Sequence, residues 1–131
     1  MGNKPEEILP SGIRIVKANE IYFLPTEADF RREVLECRQP VLVEFSADWC
    51  GLGHMMAPVI EEMAARFRNR IKFCRMDVDR ERDVGARYGI QKFPAILFFK
   101  GGEAVDCITG AAPRRMIEQK IHALLDNEGE A

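Results

Sequence analysis

The chain has 131 residues, 47% of them apolar and 31% charged, which suits one domain with an ordinary core and excludes disorder along its whole length. Its 19 Lys and Arg nearly balance 21 Asp and Glu, so neither nucleic acid nor a membrane surface is an expected partner, since both call for a basic face. No apolar run approaches the roughly 18–20 residues of a bilayer span, and the start from Met1 to Glu7 has no apolar stretch of the secretory kind. A cytoplasmic protein is expected.

In chain order, Met1 to Ser11 reads as a loose polar lead broken by Pro5 and Pro10, with Gly12 just after it. Ile13 to Lys17 alternates weakly, as an edge strand does, and Ile21 to Leu24 is a second short apolar stretch. Thr26 and Asp29 stand in the spacing of a capping box, opening a helix with Phe30, Val34 and Leu35 on one face, and Pro40 stops it. Val41 to Phe45 reads as a central strand buried on both faces. After Ala47–His54 comes a long helical pattern. Leu52, Met55, Met56, Val59, Ile60, Met63, Ala64 and Phe67 form one broad apolar face, and Pro58 predicts a kink.

Ile71 to Val78 is another strand, and Asp79 is placed to cap a short helix ending at Tyr88-Gly89. Ala95–Phe99 and Ala104–Ile108 flank Lys100-Gly101-Gly102-Glu103, a hairpin signal. Pro113 begins a last helix with Met116, Ile117, Ile121, Leu124 and Leu125 apolar. Strands that alternate with helices and close on a hairpin predict an α/β domain with a mixed sheet of four to five strands, covered by helices on both faces. Residues 1–20 are read as an extension, 21–126 as the domain and 127–131 as a frayed tail.

Four cysteines, Cys37, Cys50, Cys74 and Cys107, show no Cys-x-x-Cys or Cys/His spacing, so no metal site is expected. Cys37 falls at a helix end, and Cys74 and Cys107 fall in apolar strands, so these three are expected to be packed, reduced thiols. Cys50 differs. It is expected to be exposed at the start of a helix, where unpaired N–H groups and the helix dipole favour a thiolate.

Val41-Leu42-Val43-Glu44-Phe45-Ser46-Ala47-Asp48-Trp49-Cys50-Gly51 resembles the strand and active-site loop of thioredoxins. Met55-Met56-Ala57-Pro58 resembles the kinked helix of that family, Tyr88 to Ala95 its cis-proline loop, and Phe98 to Glu103 its closing hairpin. The match runs from about Ile21 to Asp126 and implies a thioredoxin fold. The family's active site is Trp-Cys-Gly-Pro-Cys, and here it reads Trp49-Cys50-Gly51-Leu52-Gly53. The first cysteine is kept; the second is Gly53.

The resemblance implies a groove in which Trp49, Gly51, Leu52, Phe93, Pro94, Gly110 and Ala111 receive an extended protein client, with a cis bond before Pro94. It also places Glu44 where the family has a buried aspartate that transfers protons, and Arg75 where it has a lysine. Glu44 is then either half of a structural pair with Arg75 or a catalytic base. His54, four residues beyond Cys50, can share its helix face and favour the thiolate, or simply face solvent.

Exchange begins with thiolate attack on a disulfide, giving a mixed disulfide that a dithiol protein resolves with its second cysteine. Gly53 has no sulfur. The expected activity is therefore monothiol exchange on protein clients with disulfides or reactive thiols. It has no resident cofactor, and glutathione or another external thiol acts as co-reductant. The alternatives are a non-catalytic client-binding module, a dimer bridging an iron–sulfur cluster through Cys50 and glutathione, and an ordinary dithiol thioredoxin should Gly53 replace a cysteine. A monomer is expected.

Overall fold

The computed structural model describes residues 6–8, 14–47 and 49–126, with side chains described from residue 19 onward. The strands are β1 (Glu6–Ile8), β2 (Arg14–Ala18), β3 (Ile21–Phe23), β4 (Val41–Ser46), β5 (Lys72–Asp77), β6 (Ala95–Lys100) and β7 (Glu103–Thr109). The helices are α1 (Glu27–Phe30), which runs on as a π-helical turn over Arg31–Leu35, then α2 (Gly51–Phe67), α3 (Arg82–Arg87) and α4 (Arg114–Asp126). The predicted tail lies outside the described residues.

One mixed sheet has the order β1-β2-β3-β5-β4-β6-β7. Strands β3, β5 and β4 are parallel, while β6 runs antiparallel to β4 and β7 antiparallel to β6. The five strands β3–β7 are the expected sheet. The extension lengthens it by two antiparallel strands, β2 on β3 and β1 on β2. Glu6–Ile8 falls in the lead that the sequence marks as loose. It pairs regardless, because a ladder is made by backbone groups and needs no apolar alternation when it extends an existing edge. The β2–β3 turn holds Asn19 and Glu20 at φ of 54° and 67°, the left-handed pair that a two-residue hairpin demands.

Alternation along the strands sends side chains to two cores. Val41, Val43 and Phe45 of β4 meet Phe30 and Val34 of the first helix, Val84 of α3 and Phe99 of β6 on one face. Leu42, Phe73, Ile96 and Phe98 meet Met56, Ile60 and Met63 of α2 and Ile117 and Ile121 of α4 on the other. Phe30 is fully buried, with its ring centroid 6.5 Å from that of Phe45, 6.0 Å from Tyr88 and 5.6 Å from Phe99.

The predicted punctuation holds at several boundaries. Thr26 Oγ1 accepts from the Asp29 N–H at 3.1 Å and donates to Asp29 Oδ2 at 2.7 Å, closing the expected box. Helix α2 continues through Pro58. In the β6–β7 turn Gly102 has a φ of 83°, and a Cβ there would stand 2.5 Å from Leu35 O, so only glycine fits.

Several expectations about side-chain burial fail. Leu52 and Met55 are 47% and 74% exposed, because the first turn of α2 lies at the end of β4, where none of the described elements covers its outer face. Met116 is 41% exposed in the first turn of α4. Cys107 is exposed because β7 is the sheet's edge strand, where Ile108 is buried and its neighbour on the opposite face is left uncovered.

Candidate active site

The parallel strands β4 and β5 end side by side, with Ser46 opposite Asp77 and the Val78 N–H donating to Ser46 O at 2.9 Å. The carboxyl ends of parallel strands are where α/β folds place ligands. Strand β6 reaches the same end in the opposite direction. Its register sets Phe45 against Ala95, which brings Pro94 beside Ser46. Ala95 in turn faces Thr109 of β7, and the Gly110 N–H donates to Pro94 O at 2.7 Å. Three segments distant in sequence, Trp49-Cys50, Phe93-Pro94 and Gly110-Ala111, therefore meet at one edge. The Phe93–Pro94 bond is cis, as expected.

Cys50 is the N-cap of α2. Its backbone is extended, its N–H donates to Ala47 O at 3.0 Å, and its carbonyl accepts from the His54 N–H at 3.2 Å. Its Sγ accepts from the Gly53 N–H at 3.4 Å, so sulfur does the work that an oxygen does at most N-caps. The expectation of an exposed sulfur is corrected: Cys50 is only 6% exposed, because the capping position turns the side chain inward under the first turn.

Around it the surface is apolar. Trp49 is 64% exposed, and Gly51 and Leu52 are also exposed. Phe93 is half-buried, Pro94 buried, Gly110 partly covered and Ala111 exposed. Sequence reasoning misses two members of this rim. Helical spacing assigns Met55 to the core. Asp79 reads as the cap of α3, but a turn from Asp77 to Glu81 intervenes, with the Glu81 N–H donating to Asp77 O at 3.0 Å. Asp79 Oδ2 instead accepts from Trp49 Nε1 at 2.8 Å and holds the indole across the strand end. The signal for it is its place just after the end of β5, next to the strand that leads to Trp49.

His54 is exposed in the first turn of α2. Glu44 is 1% exposed, on the face of β4 that α2 covers, and Arg75 Nε donates to its Oε1 at 2.7 Å. Burial pushes the Glu44 carboxyl above its ordinary value; the Arg75 charge and hydrogen bond pull it down, and Glu61 adds a smaller upward push. Glu44 Oε2 and Arg75 Nη2 are buried without hydrogen-bond partners, and the Arg75 guanidinium lies 5.5 Å from the centroid of the Phe23 ring.

The remaining cysteines lie elsewhere. Cys74 is in the core facing α1 and α3, with Cys37 packed against that core, and burial pushes the Cys74 thiol up to about 12. Among the described residues Glu27, Glu81 and Asp83 gather carboxylate oxygens within 4.8 Å of one another, a partly exposed acidic group in which Glu27 already pairs with Arg87 at 2.7 Å.

Comparison with known proteins fits this geometry. Residues 22–123 match the family model for thioredoxin. The chain is 40% identical over 96 residues to Thioredoxin 1 of Nostoc sp., a match spanning 73% of this chain and 90% of the relative. It is 39% identical over 100 residues to a thioredoxin of Chlorobaculum thiosulfatiphilum, spanning 76% and 93%. It is also 39% identical to the chloroplastic Thioredoxin M4 of Arabidopsis thaliana, over 76% of this chain and 52% of that protein.

Proposed function

The chain belongs to the thioredoxin family of thiol–disulfide oxidoreductases, and from that premise we propose that it performs monothiol exchange on protein disulfides through Cys50. The observation that carries this reading is the pairing of a capped sulfur with a bare neighbour. Cys50 Sγ takes the Gly53 N–H at a helix N-terminus, and the point where a Cβ of residue 53 would stand lies 3.6 Å from that sulfur. A second thiol belongs at that point in a dithiol site, and glycine supplies none.

The Cys50 thiolate attacks one client sulfur, forming a new S–S bond and releasing the other client sulfur as a thiolate that takes a proton from water. An external thiol, for which glutathione is the proposed class, then attacks Cys50 Sγ and displaces the client. A second external thiol frees Cys50. The balance is one client disulfide and two thiols converted to a client dithiol and one external disulfide. The cytoplasm expected for this chain supplies such thiols, and no resident cofactor takes part. No helix among the described residues is long and apolar enough to cross a membrane. The exposed Trp49, Leu52 and Met55 offer the client an apolar landing surface. In this reading Glu44 serves as the buried half of an ion pair, since no second thiol awaits deprotonation.

The test is insulin-type disulfide reduction coupled to thioredoxin reductase. The protein should be nearly inactive there, should work when glutathione is the reductant, and should gain reductase-linked turnover in Gly53→Cys. Ordinary turnover by the unaltered chain would refute the monothiol reading. The exposed apolar rim also favours a second reading, a client-binding module. That reading wins if Cys50→Ser abolishes no measurable exchange and leaves client binding unchanged.

A further inference from the structure

Gly53 is costly where it stands. It is buried in the first turn of a 17-residue helix, where glycine is less favourable than alanine. Its backbone does not explain it, because it is not among the glycines with positive φ. Its surroundings do. A Cβ at residue 53 would overlap Ser46 Oγ and lie 3.4 Å from Ser46 Cβ. The same point is 3.6 Å from Cys50 Sγ. The hydroxyl of Ser46 and the sulfur of Cys50 therefore flank one small volume at the N-terminus of α2, and a side chain at residue 53 enters it only by turning that hydroxyl away.

We propose that Ser46 is a positioning residue for Cys50: its hydroxyl occupies the seat of a second active-site side chain and donates a hydrogen bond to the Cys50 sulfur during exchange. The proposal rests on the reading of Cys50 as the nucleophile. Ser46 is the last residue of β4 and follows Leu42 and Glu44 on the face turned to α2, so the strand aims it under the first turn. The sulfur already takes one backbone donor, the Gly53 N–H. A hydroxyl beside it supplies a second, and hydrogen bonds to a charged acceptor are stronger than neutral ones. The hydroxyl keeps its proton throughout. In the reaction with oxidised glutathione the Cys50 thiolate forms one S–S bond as the glutathione S–S bond breaks. Cys50 is oxidised, one glutathione leaves as a thiolate, and Ser46 acts only by holding charge on sulfur. The same bond assists Cys50 as leaving group when an external thiol attacks the partner sulfur.

The experiment is a double-mutant cycle on Ser46→Ala and Gly53→Ala in the full chain. It is read by the rate at which oxidised glutathione modifies Cys50 at fixed pH, followed by peptide mass mapping so that the exposed Cys107 is counted separately. Ser46→Ala should slow modification about fivefold, the effect of one ordinary hydrogen bond. Gly53→Ala should slow it similarly by pushing the hydroxyl aside. The double variant should be no slower than Ser46→Ala alone. The pH at half-maximal alkylation of Cys50 should move upward in both single variants. Thermal melts give a second readout. Gly53→Ala should stabilise the protein that already carries Ser46→Ala, as alanine does in a helix, and should fail to stabilise the protein that keeps its serine. A reactive Cys50 whose rate ignores Ser46→Ala, or single effects that multiply in the double variant, would overturn the role of Ser46 alone. A Cys50 that takes up no glutathione in the unaltered protein would overturn the exchange reading and this one with it.

Discussion

Replacing Arg75 with methionine should destabilise the protein strongly at neutral pH and weakly in acid. Arg75 Nε sits 2.7 Å from Glu44 Oε1, and Glu44 is 1% exposed with its other oxygen buried and unpartnered. Removing one partner of a buried pair strands the other charge, at a cost of about 3–5 kcal/mol. Protonation of Glu44 offers an escape. Burial already raises its carboxyl above 4.5, and losing Arg75 raises it further. A group with a raised folded-state value binds more protons folded than unfolded. Its favourable contribution is complete below about 4.5 and is lost as pH rises through the folded value, with a slope of up to about 1.4 kcal/mol per pH unit. Arg75→Met should carry that loss to higher pH. Near pH 4 only one hydrogen bond and the packing of the arginine stem are missing, roughly 1–2 kcal/mol. Urea unfolding of the unaltered protein, Arg75→Met and the Glu44→Met/Arg75→Met double variant from about pH 4 to 8 checks this. The double variant should return to within about 1 kcal/mol of the unaltered protein near neutral pH, since apolar replacement of a buried pair is often neutral. A loss in Arg75→Met that is constant across pH, or a double variant as weak as the single, would refute the reasoning.

Thiol labelling of the native protein should modify Cys107 as well as Cys50. Cys74, buried with its thiol pushed up to about 12, should label only on unfolding, and native labelling of Cys74 at the rate of Cys107 would contradict its placement. Phe30→Ala empties a fully buried site among three aromatic rings and should cost about 3–5 kcal/mol in chemical denaturation; a loss below about 1 kcal/mol would mean that this core relaxes to fill the space.

Elements whose signals are local were legible along the chain. The Thr26–Asp29 box, the apolar run of β4, the Gly101-Gly102 hairpin and Pro113 before α4 act over a few residues, so the order of strands and helices could be read directly. The resemblance carried the rest of the family reading, including Cys50 and the Phe93-Pro94 bond. Periodicity could assign residues to a helix face but could not say how far the sheet reaches beneath it. Leu52 and Met55 obey the spacing of Met56 and Ile60 yet stand beyond the end of β4. Likewise, strand alternation gives Cys107 a face, and only the position of β7 at the sheet edge leaves that face open.

The site itself depends on registers between strands far apart in sequence. They set Asp79 against Trp49, Arg75 against Glu44, and Pro94 against Gly110. They also bring α2 down on the end of β4, so that the Ser46 hydroxyl fills the space a side chain at position 53 would need. Contacts of this kind follow from the packing of a helix on a sheet, and no spacing along the chain encodes them.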